Sequence, residues 1–266
     1  MGRPAFRAVG FRAPATAYDG GMSNPWQGVD ELSLVVDPLS DDPARELERG
    51  ISLLRGVADG AQPPTLRLYR PSPTVAFGQR DARLPGFAEA SAAATRHGFA
   101  PLVRRAGGRA AAYHRGCLVV DHIEPASDAV AGTTSRFSAF GGFFARALTG
   151  LGLDAQVGEV PGEYCPGEFS VHGRLEGVPV IKLVGTAQRV VAGAWLFSSV
   201  VVIEDSAPLR VVLTDVYAAL GLPWRPPTAG AVEDLAAGTT VQDVEDALLA
   251  AYRDHVVLDR AAPRPS

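Results

Sequence analysis

Residues 162–189 read GEYCPGEFSVHGRLEGVPVIKLVGTAQR, which sets Cys165 just ahead of a Pro-Gly pair and Lys182 inside an apolar run. Residues 169–187 read as two strands joined through Gly173 to Gly177, a turn near Leu175 setting Lys182 roughly opposite Glu168. At about 3.3 Å per residue, Cys165 then lies about 10 Å farther along the first strand. A long lysine reaches it if the Pro166-Gly167 turn folds back.

A thiol and an ammonium are the two side chains an acyl-transfer site needs. A thiol takes an acyl group from a donor, holds it as a thioester and hands it to an amine, splitting one hard step into two. Since an ordinary thiol ionises near about pH 8.5, a neighbouring cation raises the reactive thiolate fraction at neutral pH. Residue type alone leaves plainer readings open. Free cysteine is among the most buried residues, and a lysine flanked by Val180, Ile181, Leu183 and Val184 can also point outward from an edge strand.

A second pattern lies upstream, where residues 104–110 read RRAGGRA between the strand-like LVRR and AAAYH. Two adjacent glycines there make a tight turn with positive φ, or a loop that lies close to a ligand. It is not a phosphate loop, because G-x-x-x-x-G-K-S/T is missing and no G-x-G-x-x-G opens a helix.

The segments KLVGTAQR (residues 182–189) and RRAGGRA, together with LRLYRPSPTVAFGQ (residues 66–79), resemble the biotin/lipoate protein ligase superfamily in its lipoate and octanoate branch. Tyr-Cys-Pro-Gly ahead of the lysine pattern is similar to the octanoyl and lipoyl amidotransferases that use a cysteine thioester. The resemblance runs from about residue 31 to 252. It implies that Cys165 is the acyl-accepting nucleophile and that Lys182 contacts the acyl carbonyl or the thiol. It further implies that Arg104, Gly107 and Gly108 lie against the acyl group, and that Gly185 and Ala187 leave room for the chain. The implied partners are acyl- or lipoyl-carrier proteins such as the glycine cleavage H protein or dehydrogenase E2 lipoyl domains, with no cofactor.

Departures separate this chain from the ATP-dependent ligases of that superfamily. Arg109 stands where they carry a third glycine, and the Cys-Pro-Gly segment replaces an Asn-Asp pair ahead of the lysine. Little chain beyond Arg253 remains for an accessory C-terminal domain, and the hairpin before Lys182 is expected to be longer. The alternatives are an ATP-dependent lipoate ligase and a non-catalytic acyl- or carrier-binding module.

The chain has 266 residues, 47% of them hydrophobic, enough for a sizeable core in one large or two small domains. Twenty-five basic and 29 acidic residues leave a net charge of −4, which gives no broad pull toward nucleic acid or anionic membrane. A local basic patch of Arg104, Arg105, Arg109 and Arg115 remains a candidate dock for an acidic carrier. No apolar h-region or spanning run is present, so a cytoplasmic protein is expected. Cys117 and Cys165 sit in different segments and lack metal-ligand spacing with the five histidines, so neither a disulfide framework nor a metal site is expected.

The expected organisation is an arm over residues 1–29, a catalytic domain over 30–256 and a tail over 257–266. Asp41, Asp42 and Pro43 open a helix to about residue 57, and residues 87–97 form an Ala-rich helix closed by Gly98. Phe137, Phe140, Phe144 and Leu148 mark the core face of a helix over 134–151, with further helices over 208–220 and 241–252. Strands are expected at 66–69, 74–77, 102–104, 110–113 and 118–123. Helices among short strands indicate an α+β fold, mixed β-sheets with helices packed on the outer side, which agrees with the biotin/lipoate protein ligase catalytic-domain fold. Asp121 and Glu163 are read as solvated carboxylates, His114 as a strand-end surface histidine and His172 as an uncertain partner for Cys165. Gln188 and Arg189 match the family pattern, with Arg189 a possible pin for the following strand.

Overall fold

The computed structural model describes residues 29–260. Of the expected arm only Val29 falls inside that range, and it is buried against the core. In chain order the elements are β1 (Glu31–Val36), α1 (Pro43–Ala58), β2 (Thr65–Tyr69), β3 (Thr74–Phe77), α2 (Phe87–Arg96), β4 (Ala100–Val103), β5 (Ala111–Tyr113) and β6 (Cys117–Pro125). There follow α3 (Thr133–Gly150), β7 (Asp154–Val157), β8 (Val171–Leu175), β9 (Val178–Val191), β10 (Ala194–Val202), α4 (Ser206–Leu220), α5 (Val241–Arg253) and β11 (Val257–Arg260).

Eight strands form a mixed sheet in the order β11-β1-β2-β6-β10-β9-β8-β7, and three form a smaller one in the order β4-β3-β5. The parallel pairs in the large sheet are those of β1 with β2 and β11. Residues 257–260, expected in the tail, therefore belong to the sheet.

Strand alternation sorts the large sheet into two faces. Leu118 and Val120 of β6 join Trp195 and Phe197 of β10 and the α3 residues Phe140, Phe144 and Leu148 in the main core. Ile123 and Leu196 face the opposite way, onto Ile51, Leu54 and Val57 of α1. The small sheet packs with α2 and α4 in a third cluster that includes Phe77, Ala93, Val212 and Val216. Helix boundaries follow local chemistry. The Asp42 carboxylate accepts the Arg45 N–H at 3.0 Å, and Gly98 takes a φ of 78° just past α2.

The decisive hairpin differs from expectation in register. Its turn is Glu176-Gly177, with φ 77° at Gly177, and Lys182 pairs with His172 rather than with Glu168. Two bulges in β9 shift the pairing, and the chain leaves the sheet before Val171, so Glu168 lies in a loop. Asp121 is also not solvated. It is buried at 3% exposure and pairs at 2.8 Å with Arg67, whose other side reaches Asp37 at 2.7 Å.

Candidate active site

Strand β9 lies between β10 and β8, so Lys182 is not on an edge, and its side chain is 2% exposed. Ile181 and Leu183 enter the main core, and alternation turns Lys182 to the other face. There its ammonium donates to the carbonyls of Tyr164 at 3.1 Å and Cys165 at 2.9 Å. It also lies 2.8 Å from a Glu163 carboxylate oxygen, an ion pair whose angles fall short of a hydrogen bond. Glu163 is thus buried rather than solvated. Its second oxygen accepts the Val160 N–H at 3.1 Å and the Gly167 N–H at 3.4 Å, which draws the loop ahead of β8 into a closed turn.

That turn carries Cys165. Its backbone is left-handed, with φ 43°, a conformation that costs a non-glycine residue about 1–3 kcal/mol and persists only where the surroundings enforce it. Both of its peptide groups are held: Lys182 takes the carbonyl, and the N–H donates to the Tyr217 hydroxyl at 2.7 Å. Burial pushes the Tyr217 phenol up, so it stays protonated and donates onward to the Ala110 carbonyl at 2.9 Å.

The sulfur faces the glycine loop. The Arg109 main-chain N–H donates to Sγ at 3.2 Å, and the Arg104 guanidinium reaches it at 3.7 Å. Arg104 also closes the loop, donating to the carbonyls of Gly107 at 3.1 Å and Arg109 at 2.8 Å. Gly108 has φ 99°, and a Cβ there would stand 2.8 Å from Sγ, so the position has to be glycine. Lys182, the cation expected at the thiol, meets the cysteine's carbonyl instead; no bond from its ammonium to Sγ is formed.

Cys165 and Lys182 line a cavity of about 210 Å³ between the two sheets and α1. Gly185, Ala187, Leu196 and Val200 form its sheet wall, Leu102 and Tyr113 the small-sheet side, and Ile51 the helix side. Arg104 lines it as well, whereas Gly107 and Gly108 face a separate outer hollow with Arg80, Arg105, Arg109 and Arg189. Arg115 is not part of that hollow, since it bonds to the Arg70 carbonyl and pairs with Asp41.

The remaining candidates have structural partners. His114 is buried rather than on the surface; its ring reaches the Asp205 carbonyl at 2.8 Å and accepts the Gly116 N–H at 2.9 Å. The His172 ring contacts the Gly158 carbonyl at 3.2 Å rather than the thiol. Gln188 ties β9 to α3 by accepting from Arg136 at 2.6 Å and donating to the Thr133 carbonyl at 3.1 Å, and Arg189 is exposed. Among the described residues no cluster of His, Cys, Asp and Glu could hold a metal, and no helix is long and apolar enough to cross a membrane.

Known proteins share this arrangement of sheets. Lipoate-protein ligase A solved with ATP superposes with a TM-score of 0.66 at 19% identity, covering 87% of this chain and 88% of that one. The bi-partite lipoate protein ligase of Thermoplasma acidophilum gives 0.61 at 19% identity over 88% of each chain. At that identity the likeness speaks for the fold. By sequence, an octanoyl-[GcvH]:protein N-octanoyltransferase of an Exiguobacterium species is 31% identical over 201 residues, 71% of this chain and 68% of the relative. The enzyme of the same name from Geobacillus kaustophilus is 27% identical over 172 residues, 64% of this chain. The match spans only 58% of that relative's length, as it does for the one from Anoxybacillus flavithermus. The family profile described as the lipoyl protein ligase A/B catalytic domain matches residues 42–253, from the cap of α1 to the last residue of α5, and the chain belongs to that family.

Proposed function

We propose that this protein is an acyltransferase that carries an octanoyl or lipoyl group from a carrier-protein donor, through a thioester on Cys165, to a lysine amine of a second carrier. The observation that carries the reading is a thiol at the wall of a largely apolar cavity with a main-chain N–H 3.2 Å from its sulfur. A hydrogen bond to a thiolate is charge-assisted and favours the reactive form. The relatives' name supports an octanoylated GcvH carrier as donor, and acceptor lipoyl domains complete the exchange.

Sulfur attacks the acyl carbonyl, the C–N bond to the donor lysine breaks, and the proton lost by the thiol leaves on the departing amine. The acceptor amine then attacks the thioester, the C–S bond breaks, and a proton returns to sulfur. Amide is exchanged for amide, so no nucleotide is consumed. Arg104 and the Arg109 N–H hold the sulfur, and Lys182 with Glu163 holds the loop that presents it. Gly185 and Ala187, small residues on the sheet wall, leave the chain its space. We place the reaction in the cytoplasm, where a free catalytic thiol stays reduced.

Incubation with an octanoylated carrier, without nucleotide, tests this by intact mass. The protein gains one octanoyl group on Cys165 and passes it to a second carrier. A Cys165→Ala protein that still carries the adduct and still transfers overturns the mechanism. A requirement for ATP with pyrophosphate release makes it a ligase, and lipid binding without turnover makes it a binding module.

A further inference from the structure

We infer that Asp81 is a positioning residue for the cysteine nucleophile, acting through Arg109. The inference rests on the thioester reading above, but its geometry stands apart from any substrate. Asp81 follows β3 and is fully buried. One carboxylate oxygen accepts the Gly78 N–H at 2.9 Å, and the other pairs with the Arg109 guanidinium at 3.0 Å. A buried carboxylate spends both oxygens on fixing where two backbone segments lie.

Those segments form the cradle of the sulfur. Gly78 abuts the glycine loop so closely that a Cβ on it would stand 1.9 Å from the Gly108 carbonyl oxygen. Gln79 donates to the Arg104 carbonyl at 2.9 Å, and the Arg104 N–H donates to the Phe77 carbonyl at 2.9 Å. The side chain of Arg109 is drawn back onto Asp81, and its main-chain N–H is left aimed at Sγ. With Gly108 at φ 99°, the direction of that N–H depends on what anchors residue 109. Asp81 supplies the anchor. Arg109, the departure from a third glycine, is on this reading compatible with a working site, because the backbone provides the donor and the side chain locks it.

Alkylation of Cys165 by iodoacetamide, in which the S–C bond forms and iodide leaves, reports on the sulfur without any acyl donor. Peptide mapping assigns the label. At pH 7 we expect Asp81→Asn and Arg109→Ala each to slow labelling by about tenfold, the size of one charge-assisted hydrogen bond. The double variant is no slower than either single one, since both break the same link. Arg109→Lys keeps the pair and restores the rate to within about twofold. A wild-type labelling rate in Asp81→Asn, or an Arg109→Lys rate as slow as that of Arg109→Ala, overturns the inference and leaves Asp81 a purely structural residue. Should Asp81→Asn fail to fold, Arg109→Ala, whose side chain is 34% exposed, decides the question alone. If the wild-type protein forms no octanoyl adduct yet these labelling deficits appear, the acyltransferase reading fails while the positioning of the thiol by Asp81 stands.

Discussion

Cys117 and Cys165 are the same side chain in two surroundings. Cys117 opens β6 opposite Val202 with no exposure, and burial pushes its thiol up to about 12. Cys165 sits in a loop, half-buried, on left-handed backbone, with an N–H and a guanidinium directed at its sulfur. Strand geometry delivers the first sulfur into packed apolar atoms, where desolvation outweighs the one backbone hydrogen bond, from His114, that favours the charge. Loop geometry delivers the second to donors. The lesson is that backbone placement, and not residue type, separates a sealed thiol from one that donors hold at a cavity wall.

Removing the latch that enforces this placement is expected to have the largest effect. Lys182→Met leaves Glu163 buried without its cation, and breaking one side of a buried pair costs about 3–5 kcal/mol. Denaturant unfolding measures the loss. The cysteine loop also loses the bond to its carbonyl, so the alkylation preference for Cys165 over Cys117 should shrink. Lys182→Met combined with Glu163→Gln recovers part of the stability, because no uncompensated charge remains. Unchanged stability together with unchanged selectivity in Lys182→Met would show that the latch does not hold the loop.

The latch also marks the boundary of what the sequence makes legible. Helices α1 to α5 are visible from capping residues and apolar spacing, and Cys165 and Lys182 stand out by chemical type. The pairing of Lys182 with Glu163 is not legible, since a single Glu beside a Pro-Gly turn reads as solvated and its partner lies across a hairpin. The turn at Glu176-Gly177 and the two bulges of β9 are equally silent, and together they account for the misplaced partner of Lys182. Strands β1, β7 and β11 escape for a related reason: short strands with exposed positions acquire their meaning only from the neighbours they pair with. Asp81 gives no local signal either, because Arg109 follows it 28 residues later on another sheet strand's flank.

A methyl group tests the loop side of the comparison. In Gly108→Ala, the new Cβ meets Arg104 Nη2 at 2.5 Å and Sγ at 2.8 Å, and φ 99° is strained for alanine. We expect a loss of about 1–3 kcal/mol in stability. Single-turnover thioester formation should slow more than donor binding weakens, because the substitution displaces the sulfur and its donors while Gly108 lies outside the cavity that Cys165 and Lys182 line. Equal losses in both would mean that the loop's main contact is with the acyl chain.

The other thiol supplies the smallest effect and the sharpest control. Cys117→Ala removes one buried atom from the cluster of the small sheet and should cost about 1 kcal/mol, with acyl transfer intact. Its pH dependence has a definite sign. The folded state holds the Cys117 proton more tightly than the unfolded chain does, so the stabilisation is complete below the unfolded value and falls as pH rises from about 9 toward about 12. Cys117→Ala should therefore lose less stability than the parent across that alkaline window, measured as the difference between two unfolding series so that the buried tyrosines cancel. An identical alkaline slope in both proteins would mean that Cys117 ionises as freely folded as unfolded, and the contrast between the two thiols would then rest on access to reagent alone.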